Sequence, residues 1–371
     1  MRKCGMIVLK LQSTTRQSNI ELLRIFAMVM IVAHHIGVHS NFDLTSGMPT
    51  VNRLWVQFIQ MGGKVGVNVF VLISGYFLIT ANSLKLSKVA KLWLQLGTYS
   101  VAMYLLFVLL GEESFSVWDF LGRFFPITNS SWWFARTYFI LFLLSPFLNT
   151  GLNAMGQKAY LRLLLILTVL WSLIPTFLSD AMESNSLLWF IYLYALAGYI
   201  RLYVDIKRVK AKTWFIAAGA ITAFTYLLAV VLDWFGVASV FDPYSFSYFF
   251  EMQKTLILLL SATLFMAFLA KDIGHRPMVN LLSSATFGVY LLHDYGDMRT
   301  ALWQRLFENE SYADSWLLIP YTLLQLVLVF AGCAVIELLR IHLIEKRYMK
   351  HVDLLIEKTK TRIPDILLKN R

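Results

Sequence analysis

The chain has 371 residues, of which 58% are hydrophobic and only 15% charged, with a mean hydropathy of +0.63. Soluble domains carry about a quarter charged residues, so this composition excludes an ordinary soluble protein and points to an all-α, polytopic membrane protein embedded in a lipid bilayer. The net charge of +11 calls for no nucleic-acid partner, because basic cytoplasmic loops produce the same sign.

The opening residues, MRKCGMIVLKLQSTTRQSN, are basic and have neither a long apolar core nor a small-residue cleavage site. Residues 1–19 are therefore expected to be a cytoplasmic extension, not a cleaved signal peptide. Ten apolar segments follow, each read as crossing about 30 Å of hydrocarbon. They are Ile20–Val38, Val65–Thr80, Val89–Leu110, Trp132–Asn149, Tyr160–Leu178, Leu187–Tyr203, Thr213–Phe235, Thr255–Ala270, Val279–Tyr295 and Ser315–Leu339. Together they define a membrane domain over residues 20–345, followed by a basic tail, residues 346–371, expected to be solvated or to lie on the membrane surface.

Charge placement supports this count. With the N-terminus inside, 25 of the 33 basic residues fall on inner segments or inner span ends. Six fall on outer segments: Arg53, Lys64, Arg123, Lys254, Arg299 and Arg305. That alternation follows the positive-inside rule and places both termini in the cytoplasm. Only Arg24 and Arg136 remain, both within spans. Cys4 and Cys333 form no disulfide framework and have no metal-ligand spacing, so no metal is expected.

The first span begins ELLRIFAMVMIVAHH, with Glu21, Arg24, His34 and His35 in an otherwise apolar run. Arg24 and His35 are eleven positions apart, which is three turns plus about 20° and a rise of ~16 Å. The two share one stripe, with Glu21 within about 40–60° of it and His34 rotated away by about 80–100°. Such a stripe must face protein or a water-filled cavity. A Glu21–Arg24 pair near the membrane surface is the plainer explanation, but it leaves His35 without a reason. A deep His suits acid–base work near neutral pH.

In span two, KVGVNVFVLISGYFLIT, Asn68, Ser74 and Gly75 interrupt the apolar run. Close helix packing explains small residues there; the alternative is that Ser74 and Gly75 let a ligand pass near the backbone. Lys85, Lys88 and Lys91 below them could bind phosphate, although they also satisfy the topology rule. Span four opens with Trp132, Trp133 and Arg136 near the outer interface, where aromatic belts are common but carbohydrate contact is also chemically suited. Span nine, LLSSATFGVYLLHDYGD, places His293 at a depth similar to His35. Tyr290 lies one turn below, Thr286 and Ser283 continue that face, and Asp294 could orient a ring nitrogen of His293. Two histidines at matching depth on two helices suggest one shared site.

NIELLRIFAMVMIVAHH resembles the opening motif of the integral-membrane acyltransferase family three, bacterial enzymes that O-acylate surface carbohydrates. That motif has an Arg and a His separated by ten residues, matched by Arg24 and His35. VFVLISGYFLIT resembles the family's F-x-x-SG-F/Y signature. SWWFARTYFILFLLSPFLN and WFIYLYALAGYIRLY are similar to its fourth and sixth spans, the latter ending in Arg201. SSATFGVYLLHD resembles its S-x-x-x-Y-x-x-H segment, with Tyr290 and His293 in place. The likeness runs over roughly residues 18–345. One departure is Lys, where many relatives have Arg, after span two; another is the lack of an appended esterase-like domain.

The resemblance implies an O-acyltransferase in a bacterial plasma membrane that moves an acyl group, most often acetyl, from cytoplasmic acyl-CoA to a hydroxyl of a surface polysaccharide or exopolysaccharide. Acetyl-CoA is then a co-substrate, with no permanently bound cofactor. It implies catalytic roles for His35, Arg24, His293 and Tyr290. The donor would meet Arg24, Ser74, Gly75, Lys85, Lys88, Lys91 and Arg201. The acceptor would meet Glu21, Asn68, Trp133, Arg136 and Asp294. His35 would serve either as general base or as a transient acyl carrier. A proton-coupled sugar or polysaccharide transporter would also use intramembrane Arg, Glu and His, but the sequence lacks paired broken helices in two halves. A polysaccharide polymerase is a further ten-span alternative, although the outer loops here reach only about two dozen residues.

Overall fold

Regular structure in the chain is helical throughout, with no strand among the described residues. The computed structural model describes residues 16–42, 50–81, 83–128, 132–178, 182–234 and 245–359. Cys4, most of the N-terminal extension and the tail beyond residue 359 lie outside them.

The helices are α1 (Ser18–His39), α2 (Val51–Leu78), α3 (Leu86–Leu109), α4 (Val117–Gly122), α5 (Trp133–Asn153), α6 (Gln157–Thr168) and α7 (Ile174–Leu178). They continue as α8 (Ser186–Tyr203), α9 (Ala211–Trp234), α10 (Thr255–Ala270), α11 (Pro277–His293), α12 (Gly296–Thr300), α13 (Leu318–Arg340) and α14 (Lys346–Thr359). A π-turn over Val169–Leu173 joins α6 to α7, and another over Ile341–Glu345 joins α13 to α14. Eight of these helical stretches are long and apolar enough to cross a membrane. The other two expected spans are helices as well. Helix α5 is diluted by Arg136, Ser145 and an internal Pro146, and α11 has only 17 residues.

The second span departs from the expected Val65–Thr80. Helix α2 has 28 residues and starts at Val51, capped by the Thr50 side chain, which accepts from the Arg53 N–H at 3.2 Å. An apolar-run reading stops at the polar residues of VNRLWVQFIQMGGK, yet these are partnered inside the protein. Arg53 and Gln57 both donate to Asp233 of α9, and Gln60 donates to the Gly37 carbonyl of α1 at 2.8 Å. Satisfied polar groups make a long helix tolerable at depth.

Helix α2 is the hub of the bundle, contacting α1, α8 and α10. Two of its glycines set how closely. A Cβ on Gly66 would sit 2.6 Å from the Ala27 carbonyl oxygen, and one on Gly75 would sit 2.8 Å from the Tyr194 backbone. Gly75 therefore serves α2–α8 packing, the plainer of its two expected roles. Asn68 is likewise structural: fully buried, it donates to the Met252 carbonyl at 2.9 Å and accepts from the Trp189 indole at 3.0 Å. Neither residue lines the two cavities between α1, α2, α5 and α11.

Helices α1 and α11 run side by side in the same direction. Ser18 donates to Asn280 at 3.0 Å, Ser283 donates to Glu21, and His35 meets His293. These rungs place the two expected polar faces against each other.

Candidate active site

Two cavities lie end to end between α1, α2, α5 and α11. By the charge alternation, one opens outward and the other inward. The outer cavity, about 230 Å³, is lined by His34, His35, His39, Lys64, Trp133, Tyr290, Asp294 and Arg299 among others. The inner one, about 750 Å³, is lined by Arg16, Glu21, Arg24, Ser74, Lys91, Tyr138 and Ser283 among others. Phe70, Phe134 and Phe287 line both, so three aromatic rings form the partition between them.

The paired histidines stand just above that partition. Nδ1 of His35 lies 2.9 Å from Nε2 of His293, and Nδ1 of His293 lies 2.6 Å from the Val289 carbonyl oxygen. A carbonyl only accepts, so neutral His293 carries its proton on Nδ1 and its Nε2 must accept from His35. Neutral His35 is therefore protonated on Nδ1, and its Nε2 keeps a free lone pair. The Asp294 carboxylate lies 3.4 Å from Nδ1 of His35 and 3.9 Å from Nε2 of His39, and Arg299 holds it at 2.8 Å. This corrects one expectation: Asp294 faces His35 and His39, whereas a backbone carbonyl orients His293. The arrangement follows the orienter–base logic in which a second group fixes the tautomer and a carboxylate favours the imidazolium.

Tyr290 is buried at the same level, its ring edge-on to Phe134 at 5.7 Å and its hydroxyl beside the Asp294 carboxylate. His34 also touches the outer cavity, but it is anchored elsewhere: Nδ1 donates to the Gln60 carbonyl at 2.6 Å, and the ring lies against Gly63.

In the inner cavity the Arg24 Nε lies 3.9 Å from Glu21 and has no hydrogen bond of its own. Glu21 accepts from Ser283, and Ser74 donates to the Phe70 carbonyl at 2.9 Å. Of the basic residues expected around a donor, Arg24 and Lys91 reach this cavity, and Lys91 is paired with Glu345 at 2.5 Å. Lys85 and Lys88 instead edge a separate small hollow of about 50 Å³ beside Asn149. Arg201 donates to the Tyr76 hydroxyl at 3.0 Å and lies over its ring, outside both cavities. Arg136 is exposed and lines neither cavity, whereas Trp133 lines the outer one. Trp132 is buried rather than interfacial, its indole donating to the Leu291 carbonyl at 3.1 Å.

Sequence reasoning missed Lys64, His39 and Arg299. Lys64 was hidden because α2 begins earlier than its apolar run. Once that helix is extended, Lys64, Val67, Phe70 and Ser74 follow one another at helical steps of three or four residues. Ligand atoms of His35, His39 and Asp294 lie within 4.8 Å of one another, a spacing that could hold a metal ion. Arg299 already neutralises Asp294 and opposes a cation there, which favours a hydrogen-bonded acid–base cluster.

A basic group and a buried carboxylate above an aromatic partition, with a larger cationic chamber below, suit group transfer between ligands entering from opposite ends. Comparison with known proteins agrees. No curated protein and no solved structure matches the chain. Residues 17–338 match the acyltransferase domain of family three, with Arg24, His35, Tyr290 and His293 all inside the matched region. The chain therefore belongs to acyltransferase family three and is a multi-pass membrane acyltransferase.

Proposed function

We propose that this acyltransferase moves an acetyl group from cytoplasmic acetyl-CoA to a hydroxyl of a surface or exopolysaccharide sugar, in a bacterial plasma membrane. The observation that carries this reading is the pair of cavities meeting at Phe70, Phe134 and Phe287, with the His35–His293 pair on the outer side. Acetyl-CoA enters the inner cavity, where the half-exposed Arg24 side chain offers its guanidinium to the phosphates. The pantetheine arm rises to the aromatic partition. The acceptor hydroxyl enters from outside, and Nε2 of His35 takes its proton as the oxygen attacks the thioester carbonyl. The carbon–sulfur bond then breaks, and the CoA thiolate leaves with that proton. Asp294 and His293 hold His35 in the required tautomer and stabilise its charged form. Tyr290 offers its hydroxyl to the developing oxyanion.

The donor half is tested with Arg24→Ala. Membranes containing this variant are expected to show a KM for acetyl-CoA raised about tenfold or more, the scale of a lost charge-assisted hydrogen bond. Labelled-CoA binding should weaken by the same factor. Unchanged donor binding would remove Arg24 from the donor site. Failure of wild-type membranes to consume acetyl-CoA in the presence of surface glycan would remove the reading altogether.

A further inference from the structure

The outer side of the protein has few basic residues, and nearly all are committed. Arg53 is paired with Asp233, Arg123 with Glu113, Arg299 with Asp294 and Arg305 with Glu112. Lys254 donates to the Pro175 carbonyl at 2.6 Å and lies over the Tyr248 ring. Two are not: Arg136 is exposed and lines neither cavity, whereas Lys64 lines the outer one. The Lys64 ammonium lies 5.3 Å from the centre of the Trp133 ring and makes no hydrogen bond or close ion pair among the described residues, feeling the Asp294 carboxylate only at longer range. An aromatic face attracts a cation but supplies no counter-charge. Lys64 also lines the cavity that holds His35, and there Arg299 already cancels the Asp294 charge. With its histidines neutral, the outer cavity keeps one uncompensated positive charge at the place where the acceptor enters.

Topology does not explain that charge, because the positive-inside bias disfavours basic residues on this side. Packing does not explain it either, since the half-buried ammonium meets a ring face that supplies no counter-charge and is satisfied only by water or a ligand. We propose that the acceptor is an anionic glycan, bearing a carboxylate or a phosphate at or next to the reacting sugar, and that Lys64 binds this anion while His35 addresses the hydroxyl. The inference rests on the acyl-transfer reading above and names the substrate class for the same site.

The test uses membranes containing the full chain, labelled acetyl-CoA and the surface glycan of the producing cell. The labelled glycan is cut into short fragments and separated by charge, before and after carboxyl reduction and before and after phosphatase. Label is expected on anionic fragments, and the treatment that removes their charge identifies carboxylate or phosphate. Lys64→Met should raise the KM for the glycan about tenfold or more while keeping kcat, and Lys64→Arg should restore most of the affinity. Label on neutral fragments would overturn the proposal. So would a fall in kcat at unchanged KM, which would place the ammonium on the transition state instead. The absence of any labelled glycan from wild-type membranes would overturn the acyl-transfer reading itself. The fragment analysis uses only the wild-type protein, so it stands even if a Lys64 variant folds poorly.

Discussion

His35→Ala is expected to lower acyl transfer by about 10²- to 10⁴-fold, the usual weight of a positioned general base, while leaving acetyl-CoA binding nearly intact. The loss should appear in kcat, because His35 lies across the aromatic partition from the chamber proposed for the donor. His34→Ala is a weaker control than the helical wheel implies. His34 also lines the outer cavity, and its Nδ1–H is bonded to the Gln60 carbonyl. A modest loss there reflects a disturbed α1–α2 contact, whereas the loss at His35 is chemical. Radiolabelled transfer and CoA binding, measured on the same membranes, separate the two. Full activity in His35→Ala would remove the base from the mechanism.

The largest expected effect on stability lies at the other end of the bundle. Glu337 of α13 is only 1% exposed, and three side chains converge on its carboxylate with four hydrogen bonds. Arg340 approaches at 2.7 and 2.9 Å, Gln95 at 2.8 Å and the Tyr99 hydroxyl at 2.5 Å. Arg340 also reaches Glu345 at 2.6 Å, and Glu345 holds Lys91. Gly288 of α11 lies directly against the Glu337 side chain, where any Cβ would collide. Glu337→Ala would leave a buried guanidinium short of a partner and two neutral donors without an acceptor. Breaking a buried pair from one side costs about 3–5 kcal/mol. The variant should therefore melt well below the wild type in detergent micelles. An unchanged melting temperature would show that water or a neighbouring group replaces the carboxylate.

This network shows where sequence reading reaches its limit. Arg340 counts naturally as the first basic residue of a cytoplasmic tail, and Glu337 sits in a span with no opposite charge in view before it. The partners Gln95 and Tyr99 of Glu337, and Lys91 of Glu345, are all on α3, some 240–250 residues away along the chain. Nothing local marks such a contact. A distant partner also hid Lys64, which meets Trp133 of α5. What was legible was the pattern each helix carries by itself. The Arg24–His35 stripe, the depth of His293 and the ten apolar segments follow from helical rise, helical phase and charge alternation. The structure then joins the two stripes at 2.9 Å.

Residues chosen by motif alone divide along the same line. Arg24, Ser74 and Lys91 line the inner cavity, because α1, α2 and α3 present those faces to it. Lys85, Lys88, Arg136 and Arg201 do not line either cavity. Gly75 and Asn68 make helix contacts, and polarity or small size within a span fits such a contact as well as a ligand.

The measurement that bears most directly on the account is the sidedness of transfer. Right-side-out vesicles containing the protein are loaded with labelled acetyl-CoA, and surface glycan is supplied only outside. Two meeting cavities within one bundle predict label on the external glycan, lost in His35→Ala vesicles, with CoA retained inside. Label appearing only when acetyl-CoA and glycan share one compartment would contradict transfer across the bundle.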